Sequence, residues 1–334
     1  MLSRIQPVIL LILITLLHAC KKKEATNDLV NDQTIQTEIA EELESQDYQA
    51  ISLLGDTLIP AEPSEKLLNQ LKEKREAFQQ DPMNLENIIW FGRFTAYSGQ
   101  YREAINIYSE GLQQFPDESR LLRHRGHRWI TLREFDKAIA DLGRAAELIK
   151  GKENMVEQDG MPNELGIPVS SMHGNIYYHL GLAYYLNGEY EQSLMAYQKC
   201  LETSPNPDNV VSATHWIYMN LQLLGRPDEA NEALNRISPD MKIIENQAYF
   251  TACLFYQGEL KLQDIYDPQQ EASPSGSALL YGIGNWYMYN GMNQEGRRIF
   301  EEMVSRPDWA SFGHIAAEAD LARQNFNPGN GGRM

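Results

Sequence analysis

The sequence predicts an all-α chain: a solenoid of about six helical hairpins with a capping helix at each end. Three observations predict it. One pattern is written twice between residues 85 and 152, offset by 34: Gly92 recurs as Gly126, Tyr101 as Phe135, Ala104 as Ala138, Ile105 as Ile139, Tyr108 as Leu142 and Gly111 as Ala145. The pattern returns at 174–207, where Gly181, Gly188, Tyr190, Tyr197 and Pro205 lie 89 residues after Gly92, Gly99, Tyr101, Tyr108 and Pro116. Turn glycines then continue as Gly225, Gly258 and Gly291, the last two at spacings of 33. Small residues stand where paired helices must approach closely, and aromatic or branched residues fill the space between. With 334 residues the chain is long enough for two ordinary domains, or for one solenoid, which grows in one dimension and need not split.

Residues 1–19 read as a signal peptide. Arg4 supplies the positive start, and the apolar run at 8–17 is too short to span a bilayer core of ~30 Å. The run ends in Leu17-His18-Ala19-Cys20, which resembles the lipobox of bacterial lipoproteins, with His18 where a small residue is more usual. That resemblance implies cleavage before Cys20 and lipidation of its thiol, with several acyl chains giving a stable anchor. Lys21, Lys22 and Lys23 would then meet anionic headgroups. With no Asp after Cys20, the lipoprotein resemblance favours the outer membrane. Residues 20–62 carry Glu38, Glu41, Glu42, Glu44 and Asp47, with no Lys or Arg after Lys23, and are expected to be an acidic, disordered tether.

Order is expected from Pro63-Ser64, a helix cap before an apolar face of Leu67, Leu68, Leu71 and Phe78. The solenoid then covers 63–325, with repeats at 85–118, 119–152, 174–207, 211–240, 243–267 and 277–308. The unit at 243–267 is degenerate and runs into a turn-rich stretch. Residues 153–173 interrupt the register with two Gly and two Pro; their apolar side chains (Met161, Leu165, Ile167, Val169) suggest a loop packed back on the array. A last helix at about 309–325 would cap the end, and 326–334 is expected to be a disordered tail.

Within the repeats a small residue holds the eighth position (Gly92, Gly126, Gly181), an aromatic the seventeenth (Tyr101, Phe135, Tyr190) and Ala the twentieth (Ala104, Ala138). An aromatic at the twenty-fourth (Tyr108, Tyr197) and Pro at the thirty-second (Pro116, Pro205) complete the pattern. This resembles the tetratricopeptide repeat family. The resemblance implies a right-handed superhelix that binds a partner on its concave side, lined by the first helix of each repeat. Carried over position by position, that side contains Ile89, Arg93 and Tyr97, then Arg120, Arg123, His127 and Thr131. Asn175, Tyr178, Leu182 and Tyr185 follow, then His215 and Met219, and finally Tyr281, Asn285 and Tyr289. The face is cationic at its N-terminal end and aromatic further on. Alternatively, its arginines pair with neighbouring acids such as Glu86, Glu118 or Asp141. The two-Lys, Asn and Arg carboxylate clamp of chaperone-binding members is not matched, because Ile89 and Arg93 replace its first Lys and an Asn.

The net charge of −17 and pI near 4.9 argue against nucleic acid, whose phosphates need a basic footprint. Cys200 and Cys253 fall at apolar helical positions and read as buried free thiols. His124 and His127 share a helix face without a third ligand, so no metal is expected. Nucleophile-elbow, phosphate-loop and H-E-x-x-H motifs are missing from the sequence, and no cofactor is implied. The sequence therefore favours a non-enzymatic, lipid-anchored adaptor that holds a protein or peptide, with an acidic segment facing the arginines. A second reading is a binding component for a soluble oligosaccharide, stacked on Tyr178, Tyr185, Tyr281 and Trp286; an unrecognised hydrolase is a third.

Overall fold

The computed structural model describes residues 48–203, 206–267 and 276–326. The signal peptide, Cys20, the lysines after it, most of the expected tether and the tail from 327 lie outside the described residues. The chain divides into Met1–Tyr48 and Gln49–Met334, and every helix and strand among the described residues lies in the second unit.

The first element corrects the tether boundary. β1 (Ala50–Ile51) and β2 (Thr57–Leu58) pair antiparallel, with Ala50 opposite Leu58 and Ile51 opposite Thr57. Ser52 Oγ accepts from the backbone N–H groups of Leu54 and Asp56 and closes the turn around Gly55. Acidity of the preceding stretch concealed this hairpin: Ala50 and Leu58 are buried against Trp309, far along the chain.

Helix α1 (Glu65–Gln80) starts as expected, with Ser64 Oγ capping Leu67 N–H. Leu71 is buried, whereas Leu68 lies off the packed stripe and is exposed. The hairpins follow: α2 (Leu85–Tyr97) with α3 (Tyr101–Gln114), α4 (Ser119–Thr131) with α5 (Phe135–Leu148), and α6 (Met172–Leu186) with α7 (Tyr190–Thr203). Next come α8 (Pro207–Leu223) with α9 (Pro227–Leu234), α10 (Gln247–Tyr256) with the single-turn α11 (Leu262–Ile265), and α12 (Ser277–Tyr289) with α13 (Asn293–Val304). Helix α8 begins four residues before the expected repeat because Asn206 caps it and Pro207 fits its first turn. The chain is an all-α tetratricopeptide-type array.

Tight crossings explain the small residue at the eighth position. A Cβ added at Gly92 would stand 2.3 Å from the Tyr108 ring, and one at Gly284 would stand 2.4 Å from Phe300. The inter-helix turns explain the other glycine series: Gly99, Gly188, Gly225, Gly258 and Gly291 all have φ between 70° and 84°. In the second repeat that slot belongs to Arg133, at φ 65° and 34 residues after Gly99. A non-glycine there costs about 1–2 kcal/mol of backbone strain.

What holds Arg133 is α14 (Phe312–Phe326). Arg133 Nε and Nη2 donate to the Glu318 carboxylate at 3.0 and 2.6 Å, while its remaining donors reach the carbonyls of Thr131 and Trp309. Glu318 also accepts from Leu53 N–H at 2.7 Å, and Trp309 Nε1 donates to the Ile59 carbonyl at 2.7 Å. The last helix was expected to cap the end. It does pack on α12 and α13, but it also reaches α6, where Arg323 donates to the Leu186 carbonyl. Its apolar residues surround it (Ile315, Ala316, Ala317, Ala319 and Leu321 are all buried), so one covered face could not satisfy it.

The insertion also departs from expectation. Its ends are joined by a bridge between Val156 and Ser171, with Glu157 N–H donating to the Ser170 carbonyl. Asn163 donates to Glu245, and Asn206 donates to the Val169 carbonyl. These polar contacts hold the backbone against the array. Met161, Leu165 and Ile167 meanwhile point outward, at 58, 68 and 50% exposure, instead of packing back.

Candidate binding surface

Helices α2, α4, α6 and α8 stand side by side, as the first helices of successive repeats should. The face they form is not open. The insertion covers its N-terminal part, and Phe312 of α14 rests on His127, Tyr178 and His179, with ring centroids 5.3, 6.1 and 5.6 Å away.

The expected cationic residues are mostly engaged. Arg93 is buried, lies 4.4 Å above the Trp90 ring, donates twice to Tyr97 Oη and donates to the Gln158 carbonyl at 2.8 Å. Arg120 pairs with Glu86 and Glu118, the intramolecular alternative that the sequence left open. Arg123 is buried, donates to His124 Nδ1 at 2.7 Å and faces Glu157 Oε1 at 3.4 Å. Asn175 donates to the other Glu157 oxygen at 2.8 Å. His127 is partly buried, its ring 4.3 Å from that of His179.

Further along, the expected aromatic face is an internal network. Tyr178 Oη shares a hydrogen bond with Tyr249 Oη and accepts from Trp216 Nε1. Tyr185 and Tyr281 are fully buried and bonded hydroxyl to hydroxyl, and Tyr281 donates on to Asp320 of α14. His215 is fully buried against Tyr256, and Asn285 bonds to the Tyr281 carbonyl and Tyr289. The positions carried over from the repeat pattern as an accessible lining thus include His215, Tyr185, Tyr281 and Asn285, which have no accessible face. Tyr185 and Tyr281 are correspondingly lost as sugar-stacking platforms. Tyr281 is closed off by Asp320 of α14, whereas His215 is enclosed by Tyr249 and Tyr256 of α10 and by Gly282 of α12.

Among the described residues, two openings lie beside each other, sharing Val169, Ser170, Asn175 and His179 in their walls. One, a cavity of about 170 Å³, brings Arg93, Arg123 and Arg128 together with His124, His127 and His179 under Glu157 and Gln158. The other, about 210 Å³, is lined by amides and hydroxyls such as Asn209, Ser212, Asn246 and Tyr249. Burial pulls the three histidines well below the usual imidazole range, and the nearby arginines add to the effect. Sequence reasoning missed Arg128, His124, His179 and Glu157 as members of this cluster. Their positions fall outside the concave-face rule, and nothing local to the insertion marks Glu157.

Cys200 and Cys253 are free and buried, and burial pushes the Cys200 thiol up to about 12, so neither is poised as a nucleophile. Among the described residues, no group of three or more His, Cys, Asp or Glu is placed to hold a metal, and no helix is long and apolar enough to cross a membrane.

Residues 174–207 match the model of the tetratricopeptide repeat. Among curated proteins no relative matches. Among solved structures the chain is similar to a tetratricopeptide repeat protein from Parabacteroides merdae ATCC 43184, with 17% identity, 75% of this chain and 92% of that one covered, and a TM-score of 0.46. It is also similar to YrrB, described as a TPR protein with an unusual peptide-binding site, at 14% identity, coverage of 75% and 98%, and a TM-score of 0.40. MamA is a third, at 15% identity, coverage of 51% and 87%, and a TM-score of 0.40. At such scores these likenesses carry no argument about partner or activity. The matched repeat, and the hairpins built like it on either side, give the chain an all-α, tetratricopeptide-type fold.

Proposed function

We propose that the protein is a non-enzymatic scaffold that docks a polypeptide partner on its 153–171 insertion and is tethered to the bacterial cell envelope through lipidated Cys20. One observation carries the docking surface: Met155, Val156, Met161, Leu165 and Ile167 of a single loop are each at least half exposed. Apolar side chains gathered on a hydrogen-bonded frame cost free energy in water that a partner would recover. The same frame spares that partner much of the ordering cost of docking on a flexible loop. The interior networks of tyrosine, histidine and arginine fit support for this frame better than a reaction centre.

A photo-crosslinking residue at Leu165 is expected to capture one stoichiometric protein in envelope preparations, while the same residue at Glu110, on α3, captures none. With the crosslinker kept at Leu165, Met161→Glu with Ile167→Glu should abolish that crosslink without moving the melting temperature, since neither side chain is packed. Equal labelling from both positions would remove the insertion from recognition. The anchor is tested separately by growth with a clickable fatty acid: wild type should label, and Cys20→Ser should not. Labelling of the variant, or none of the wild type, would sink it.

A further inference from the structure

We propose that the cationic cavity beneath the insertion is a binding site for a small free monocarboxylic acid. This site is separate from the outward apolar surface and stands or falls without it. Three arginines line the cavity against two carboxylates, Glu157 and Asp159, which leaves one net positive charge with the histidines neutral. That balance suits a single monoanion and disfavours a phosphate dianion. A volume of about 170 Å³ exceeds the ~30 Å³ of one water but falls below the ~300 Å³ of larger ligand pockets.

The donors are already in place and incompletely used. Arg123 is 8% exposed, and its Nε is buried with no hydrogen-bond partner. Arg128 lies over the Tyr101 ring at 5.5 Å, and among the described residues no carboxylate is within ion-pair distance of it. Tyr108 stacks on His124 at 5.7 Å and also lines the cavity. A partly buried guanidinium without an anion, as at Arg128, is costly, and an entering carboxylate would meet two planar forks suited to it.

The wall itself shows which anion the donors accept. Glu157 sets one carboxylate oxygen at 3.4 Å from Arg123 Nη1 and 3.6 Å from His124 Nε2, and the other on Asn175. Arg123 Nε, Arg128 and Tyr108 are left for a second carboxylate. Phe312 packs on His127 and His179 at the side of the cavity, which favours a compact ligand over a through-running chain.

The test uses the full chain and three probes at matched ionic strength: propionate, inorganic phosphate and a short peptide with one acidic side chain. Calorimetric titration over about 1 to 50 mM should show saturable propionate binding and a parallel rise in melting temperature. Arg128→Gln should weaken it about tenfold or more, because one charge-assisted pair is removed, and Tyr108→Phe should weaken it less. Arg128 has no carboxylate to strand, so the unliganded variant should melt near wild type; if it does not, Tyr108→Phe carries the comparison. Absence of saturable propionate binding, or propionate binding that neither substitution weakens, would overturn the site. Tighter binding of phosphate, or arginine-dependent binding of the peptide alone, would also overturn it by assigning the cavity to another ligand.

Discussion

Replacing Glu318 by Leu is expected to lower folding stability by about 3–5 kcal/mol, the range for stranding one partner of a buried ion pair. The side chains of Arg133 and Glu318 are 2% and 1% exposed, so solvent cannot take over either charge. Arg133→Gly should relieve the positive-φ strain, about 1–2 kcal/mol, yet still destabilise the protein because it leaves Glu318 buried with Leu53 N–H and without its cation. The double variant should therefore lose less than the two single losses added together. Denaturant titrations of the four proteins check this. Additive losses, or single losses below about 0.5 kcal/mol, would show that the pair does not hold α14 in place.

Acid is expected to destabilise the fold through its buried histidines. His124, His127 and His179 are held well below the usual imidazole value, first by burial and then by the arginines around them, and burial alone brings His215 to about 3. Below about pH 6.5 the unfolded chain takes up protons that the folded chain refuses. The contribution of these sites is fully present above that pH and is lost as pH falls toward their folded values. Each such site costs up to about 1.4 kcal/mol per pH unit while the folded form stays neutral. Melting curves at pH 7.5, 6 and 5 should fall steeply, and His127→Gln, whose ring makes no hydrogen bond among the described residues, should flatten the slope. A melting temperature constant over that range would contradict this account.

The fold was largely legible because its cause is periodic. Gly92, Gly126 and Gly181 report helix crossings, and Gly99, Gly188 and Gly225 report turns whose backbone suits glycine, so spacing alone places the hairpins. Periodicity says which face of a helix is buried, but not what buries it. Tyr185 and Tyr281 hold positions that an open array would present to a ligand, and here they bond to each other, with Tyr281 donating on to Asp320. The C-terminal helix could have been suspected from apolar residues on all its sides, and Arg133 from standing in a glycine slot. Glu157 carries no such mark, because a loop has no period against which one acid stands out. The hairpin at 50–58 was hidden for another reason: its burial depends on Trp309, which sequence proximity cannot reveal.

The contacts made by Trp309 and Glu318 change how the array can come apart. In an open solenoid each repeat touches only its neighbours, so terminal units fray and unfolding travels inward. Here Leu53 and Glu318 are 265 residues apart in the chain and Ile59 and Trp309 are 250 apart, and both pairs are hydrogen-bonded. Closing so long a loop costs entropy, though only about 0.6 kcal/mol more for each doubling of its length, and contacts of this range slow folding. In return, neither the β1–β2 hairpin nor α14 is an independent starting point for unravelling. Freeing one end frees the other, and the linear logic of repeat proteins gives way to a single cooperative unit.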